Sequence, residues 1–345
     1  MNTILKGHTG DFNNSVAASP DKKLVATVSD DMTVRVWEVA TGECKRVLHH
    51  NKEVTHVSWS PKGDTIASCT DQVYIWGTPP RILKIVKRGQ PYRLKTFWSP
   101  DGKFLAVMEG YSRGIILYET EGFRKVSELV MNSVRALCWT PDSRNIIFGA
   151  LSATQYHVFM ASVYNNTGEV SIGFTLPLLC YDGELTATYC TSPGVLFVGG
   201  YAEDIQTCDL THLFHREKID RRVSVYRQFD RSSRVHEELS EVVWNITEYN
   251  GWVVIDQEEY LCVMDYQGNR VSVFRYPSGE CLGLVGPYVV MSYNEREDEE
   301  EYEYAAQIVE IPFFRFTTIL SGVLSKPMGK LSDPRIFDRI LTHIG

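Results

Sequence analysis

The sequence predicts an all-β fold: a single β-propeller of about seven four-stranded blades, closed by an N-terminal strand and followed by a short C-terminal helix. Three observations predict it. Segments 7–37 (GHTGDFNNSVAASPDKKLVATVSDDMTVRVW) and 49–76 (HHNKEVTHVSWSPKGDTIASCTDQVYIW) share one order of parts. Each reads His, an apolar residue, a strand, Ser-Pro, a charged turn, a second strand, Asp, a third strand and Trp. His8 and His50 stand 42 residues apart, within the roughly 40–45 residues of a four-stranded blade. Trp59, Trp98 and Trp139 recur after 39 and 41 residues, so the period outlasts the full pattern.

The elements follow in order. TILK, ahead of His8, has room for one strand, which completes the last blade and removes the open edges of the ring. Apolar and polar residues alternate in LVATVS and TVRVW, as a half-buried strand requires. Ser19-Pro20-Asp21, Ser60-Pro61-Lys62-Gly63 and Ser99-Pro100-Asp101-Gly102 mark tight turns. Asp30-Asp31 and Thr41-Gly42 mark two more. A third blade runs from about Gly89 to Tyr118, with Gly89 at the His place and Tyr118 at the Trp place. A fourth contains LCWTPDSRNIIFGA (137–150). Beyond Thr167 the pattern fades, but strand-like runs continue. NRVSVFRYPSGECLGLV (269–285) repeats the strand–turn–strand order of MTVRVWEVATGECKRVL (32–48). Ser332 is a helix N-cap candidate, with Ile336, Ile340, Leu341 and Ile344 on one face. The expected division is a propeller over 1–325 and a tail with the short helix over 326–345.

Composition bounds the partners. The formal net charge is −8 over 345 residues, which does not indicate a nucleic-acid partner, although a local basic patch is compatible with one. No apolar run approaches a membrane span, and the N-terminus lacks the apolar run of a signal peptide. The eight cysteines never form C-x-x-C. They are expected reduced and buried, in a cytoplasmic protein or, alternatively, a nuclear one.

Residues 7–76 resemble WD-repeat proteins closely, and 89–150 resemble them loosely. The resemblance implies a hydrogen-bonded structural set in each blade: His8, Thr27, Asp31 and Trp37, then His50, Ser68, Asp71 and Trp76. The Asp-to-Trp spacing of the second set is one residue shorter, which puts its turn in doubt. The resemblance also implies partner contacts at the face around the channel mouth. The matching positions are Asp11, Asn13 and Asp30, then Glu53 and Thr55, then Tyr92 and Leu94, and then Ser133 and Arg135.

Other features are weighed against plainer readings. Cys208, His212 and His215 lack a fourth ligand for zinc, so no metal and no cofactor is expected. Arg221, Arg222 and Arg227, with Arg231 and Arg234, could hold an anion, but charge runs usually face solvent. Arg221-Arg222-Val223-Ser224 has the form of a basophilic kinase site. Tyr111-Ser112-Arg113-Gly114 lacks one arginine of a phosphoinositide-binding motif. The acidic run within 294–303 reads as a hairpin loop.

Together these lead to a non-catalytic scaffold, one protein subunit of a larger complex. The ILKGH opening is similar to that of the propeller subunit of a eukaryotic translation-initiation complex, so translation initiation or other RNA-related work is the expected setting. The alternative is a ligand-reading propeller that binds RNA, phosphoinositide or modified peptide through basic and aromatic residues.

Overall fold

The computed structural model describes residues 2–77, 81–83, 94–109, 114–131, 133–152, 155–166, 169–181, 185–191, 194–200, 205–210, 242–257, 260–266, 270–275, 281–295 and 303–314. Strand β1 (Asn2–Lys6) precedes the first sheet, which is β2 (Phe12–Ala18), β3 (Leu24–Ser29), β4 (Thr33–Glu38) and β5 (Cys44–His49). The second is β6 (His56–Trp59), β7 (Ile66–Cys69), β8 (Val73–Trp76) and β9 (Arg81–Leu83). The third is β10 (Leu94–Trp98), β11 (Phe104–Glu109), β12 (Gly114–Glu119) and β13 (Arg124–Leu129). The fourth is β14 (Val134–Trp139), β15 (Asn145–Ser152), β16 (Gln155–Asn166) and β17 (Glu169–Tyr181). The fifth has β18 (Leu185–Cys190), β19 (Val195–Gly200) and β20 (Gln206–Asp209). The sixth is β21 (Val243–Tyr249), β22 (Trp252–Gln257), β23 (Tyr260–Met264) and β24 (Arg270–Arg275). The closing sheet has β25 (Cys281–Val285), β26 (Tyr288–Glu295), β27 (Glu303–Glu310) and, outermost, β1.

The chain is an all-β propeller. Where seven four-stranded blades are expected, six four-stranded sheets are present, and β18–β20 has three strands among the described residues. The first strands of successive sheets stand side by side, and β25 stands beside β2, so the series closes on itself. β1 pairs with β27 from Asn2↔Val309 to Lys6↔Ala305, joining the two ends of the chain's ring. The expected tail over 326–345 and its helix lie outside the described residues.

The core sits between sheets. Seven apolar clusters each draw on two neighbouring sheets. Strand alternation makes this work. In β4, Val34 and Val36 point to the second sheet while Trp37 points to the closing sheet. β3 and β4 are therefore covered on both faces, not half-buried as their alternation predicts. A neighbouring sheet replaces solvent on the second side.

Ring closure leaves little room at the junction of β1 with the first sheet. Gly42 has φ +73°, and a Cβ there would sit 2.6 Å from the Ile4 carbonyl oxygen. Gly122 has φ +92°, and a Cβ there would meet nothing within 4 Å. Gly122→Ala is expected to cost about 1 kcal/mol of backbone strain. Gly42→Ala is expected to cost about 1–2 kcal/mol more, because the carbonyl must also move. Urea melts of both variants check the difference; equal losses would mean that the junction yields freely.

Candidate functional site

The His, Thr, Asp and Trp side chains of the first sheet come together across the β1–β2 connection. Trp37 Nε1–H donates to Thr27 Oγ1 at 2.8 Å. Thr27 Oγ1 stands 2.9 Å from His8 Nε2, and His8 Nδ1 stands 2.8 Å from Asp31 Oδ2. Asp31 also accepts from the Thr9 and Thr33 amides and the Thr33 hydroxyl. Burial pushes the His8 pKa below its ordinary value, partly opposed by Asp31. Burial pushes Asp31 up, but the hydrogen bonds from Thr33 and His8 outweigh it and leave the carboxyl below its usual range. One self-consistent proton arrangement has the Trp37 indole donating to Thr27, the Thr27 hydroxyl donating to His8 Nε2, and the single N–H of the neutral imidazole, on Nδ1, donating to Asp31. Thr27 and His8 are buried, so the hydroxyl cannot meet a substrate.

The second sheet closes differently. His50 Nε2 stands 2.7 Å from Ser68 Oγ, and Trp76 Nε1–H donates to that oxygen at 2.8 Å. The other ring nitrogen faces the Leu48 carbonyl oxygen at 3.1 Å. Asp71 is not in the set; partly buried, it pairs with the exposed Lys52. Ser68 and Trp76 are 8 residues apart where Thr27 and Trp37 are 10 apart. The shorter β7–β8 turn does not carry the carboxylate back over the ring, and a backbone carbonyl takes its place.

The expected partner positions scatter. Asp11 and Asp30 are exposed neighbours, with the Asp30 amide donating to the Asp11 carbonyl at 3.0 Å. Glu53 is exposed at the same end of the next sheet, and the Val54 amide reaches the Ser29 carbonyl across the junction. Thr55 is half-buried, its amide bonded to the Cys69 carbonyl. Ser133 is half-buried with φ +51°. Arg135 is half-buried and donates from Nε to the Tyr156 hydroxyl at 3.1 Å. Leu94 is a correction: at 4% exposure it belongs to the core between the second and third sheets, with nothing to offer a partner. Asn13 lies in β2, and its side chain is outside the described set. Tyr92, Arg221, Arg222 and Arg227 lie outside the described residues, as do Ser224, His212 and His215.

The structure adds residues that the pattern did not single out. Among the described residues, the exposed large apolar side chains are Ile4, Met32, Val47, Val130 and Trp244. Met32, Val130 and Trp244 all sit at the end where the first strands begin, with Asp11, Asp30 and Arg135. Val130 is 73% exposed, just ahead of β14. Trp244 is 48% exposed and is the extra residue of a bulge, with Val243 opposite Gln257 and Asn245 opposite Asp256. A bulge turns a side chain out of the ladder's regular alternation. Apolar residues usually mark a buried strand, so exposure is the signal that sequence lacks.

No helix among the described residues is long and apolar enough to cross a membrane. The six cysteines whose side chains are described are free thiols, and burial pushes those of Cys69 and Cys138 up to about 12.

The comparisons with known proteins agree with this geometry. The family model of the WD domain, G-beta repeat, matches residues 1–38 and 42–76. A ribosome biogenesis protein BOP1 homolog from Drosophila virilis is 43% identical over 58 residues, which is 17% of this chain and 7% of that protein. The BOP1 homolog of Aedes aegypti is 43% identical over 61 residues, 18% of this chain and 7% of its own length. The WD repeat-containing protein AAC3 of Dictyostelium discoideum is 29% identical over 106 residues, 30% of this chain and 22% of its length. The chain thus spans less than a quarter of any of these three relatives, and less than a tenth of the BOP1 homologs.

Proposed function

We propose that this WD-repeat β-propeller is a non-catalytic scaffold that holds other proteins in an RNA-related complex. The observation that carries the reading is the first sheet's network: imidazole, hydroxyl and carboxylate are buried and bonded to one another, holding a blade together. The docking face is the end bearing Asp11, Asp30, Met32, Val130, Arg135 and Trp244. Exposed apolar side chains beside charged ones are the composition of a contact surface. The sheet β18–β20 is taken as the seventh blade.

The similarity to ribosome biogenesis proteins supports ribosome assembly over translation initiation as the setting. Ribosome assembly would favour the nucleus over the cytoplasm expected from the sequence. Affinity purification of the tagged chain from its own cells, with a Val130→Asp/Trp244→Ala variant in parallel, tests both parts. The expected result is a stoichiometric set of proteins with the parent chain. The variant should lose at least one of them by about tenfold or more, as removal of an interface anchor does. Recovery of the chain alone as a monomer would sink the scaffold reading. Equal recovery with the variant would move the docking face elsewhere.

A further inference from the structure

We infer that Ile311–Phe314 is a latch seated in a groove between the sixth and closing sheets, and that this groove is a docking site for a short segment with paired aromatic side chains, occupied here by the chain itself. The outermost place of the closing sheet is taken by β1, so the chain leaving β27 cannot add to that side of its own sheet. It turns instead. The Ile311 amide donates to the Pro287 carbonyl at 2.8 Å, and the Phe314 amide donates to the Ile311 carbonyl at 3.0 Å.

Ile311, Phe313 and Phe314 are then 1%, 6% and 2% exposed, while Pro312 between them is exposed. Phe314 meets Tyr249 edge-on at 5.0 Å, and Phe313 meets Trp252 edge-on at 5.2 Å. The floor is Val254, Leu261 and Val263 from one sheet with Val289 and Met291 from the other. Edge-to-face geometry at two adjacent rings selects aromatic pairs over aliphatic ones.

The latch lies beyond the last paired residue of β27 and keeps one backbone hydrogen bond to the closing sheet, so its release breaks no strand pairing and is opposed mainly by the burial of three apolar side chains. The groove sits at the β21–β22 and β25–β26 turns, the end opposite Asp11 and Asp30. The molecule therefore carries a second docking end, which stands apart from the scaffold reading; either can fail alone.

The test uses the full chain carrying Phe313→Ala/Phe314→Ala and a capped peptide of residues 310–314 (EIPFF). The double variant is expected to melt about 5 °C or more below the parent. Hydrogen exchange should rise in β21, β22 and β26 and stay unchanged in β2–β5. The peptide, at millimolar concentration, should raise the variant's melting temperature and suppress that exchange by mass action, leaving the parent unaffected. No response of the variant, an equal response of the parent, or exchange raised uniformly around the ring would overturn the inference. If the double variant does not fold, Phe313→Leu and Phe314→Leu singly keep most of the volume and lose the edge-on ring contacts, and the same peptide comparison decides.

Discussion

Asp31→Ala is expected to destabilise the chain by about 3 kcal/mol, whereas Asp71→Ala costs less than about 1 kcal/mol. The two residues hold matching places in the repeat, yet their surroundings differ. Asp31 is nearly buried and faces His8 Nδ1, two backbone amides and the Thr33 hydroxyl. Water can take over at the exposed Thr9 amide, but removing Asp31 leaves buried His8 Nδ1 and the partly buried Thr33 donors without their acceptor, and the penalty for stranded buried donors is what makes the loss large. Asp71 is partly buried, accepts from the Thr70 hydroxyl and pairs with Lys52, whose side chain is mostly exposed, and a pair open to solvent on its cationic side contributes little. Parallel urea melts of the two variants measure the difference. Similar losses would mean that the second sheet also needs its carboxylate.

Stability is expected to fall as the pH drops from 7.5 to 5, before most carboxylates titrate. Burial lowers His50 to about 4 and His56 to about 3, with the Leu48 carbonyl opposing the first shift and Lys95 adding to the second. Both folded values lie below the ordinary 6.5 of an imidazole. Above 6.5 the folded and unfolded chains carry these rings neutral, and the full stability is present. Below 6.5 the unfolded chain takes up protons that the folded chain refuses, so stability drains away until the pH reaches the folded values. At pH 5 each imidazole should cost about 1–2 kcal/mol, allowing for partial exposure. His56 Nδ1 stands 3.3 Å from the Thr96 amide, which needs an unprotonated nitrogen there. Thermal melts at pH 7.5, 6 and 5 read the slope, and His56→Gln should flatten it. A melting temperature constant over that range would contradict the assignment.

The later sheets show how a fold outlasts its pattern. β21–β24 has neither the His nor the Trp of the first repeat, yet it forms a full four-stranded sheet. Continuous apolar runs such as WVVI and YLCVM are enough, because the repeat's polar set adds stability and register to a blade whose main drive is burial. At the end of the first strand the indole's partner changes from sheet to sheet: Trp59 Nε1 donates to the Gly63 carbonyl of its own turn at 3.1 Å, and Trp139 Nε1 to the Phe97 carbonyl of the neighbouring sheet at 3.0 Å.

By itself the sequence determined the strand order of a blade, the period of the ring, the closing role of β1 and the residues of the first network. Those follow from local alternation, turn chemistry and spacing, all of which lie within a few dozen residues. The tertiary structure alone decided that the central strands are covered on both faces, that Leu94 is core, that Asp71 leaves its set for Lys52, and that Phe313 and Phe314 fold under a different sheet. Each of these depends on which side chain stands across a junction between sheets. Strand periodicity says which face a residue occupies, but only the closed ring says whether that face meets solvent or another sheet.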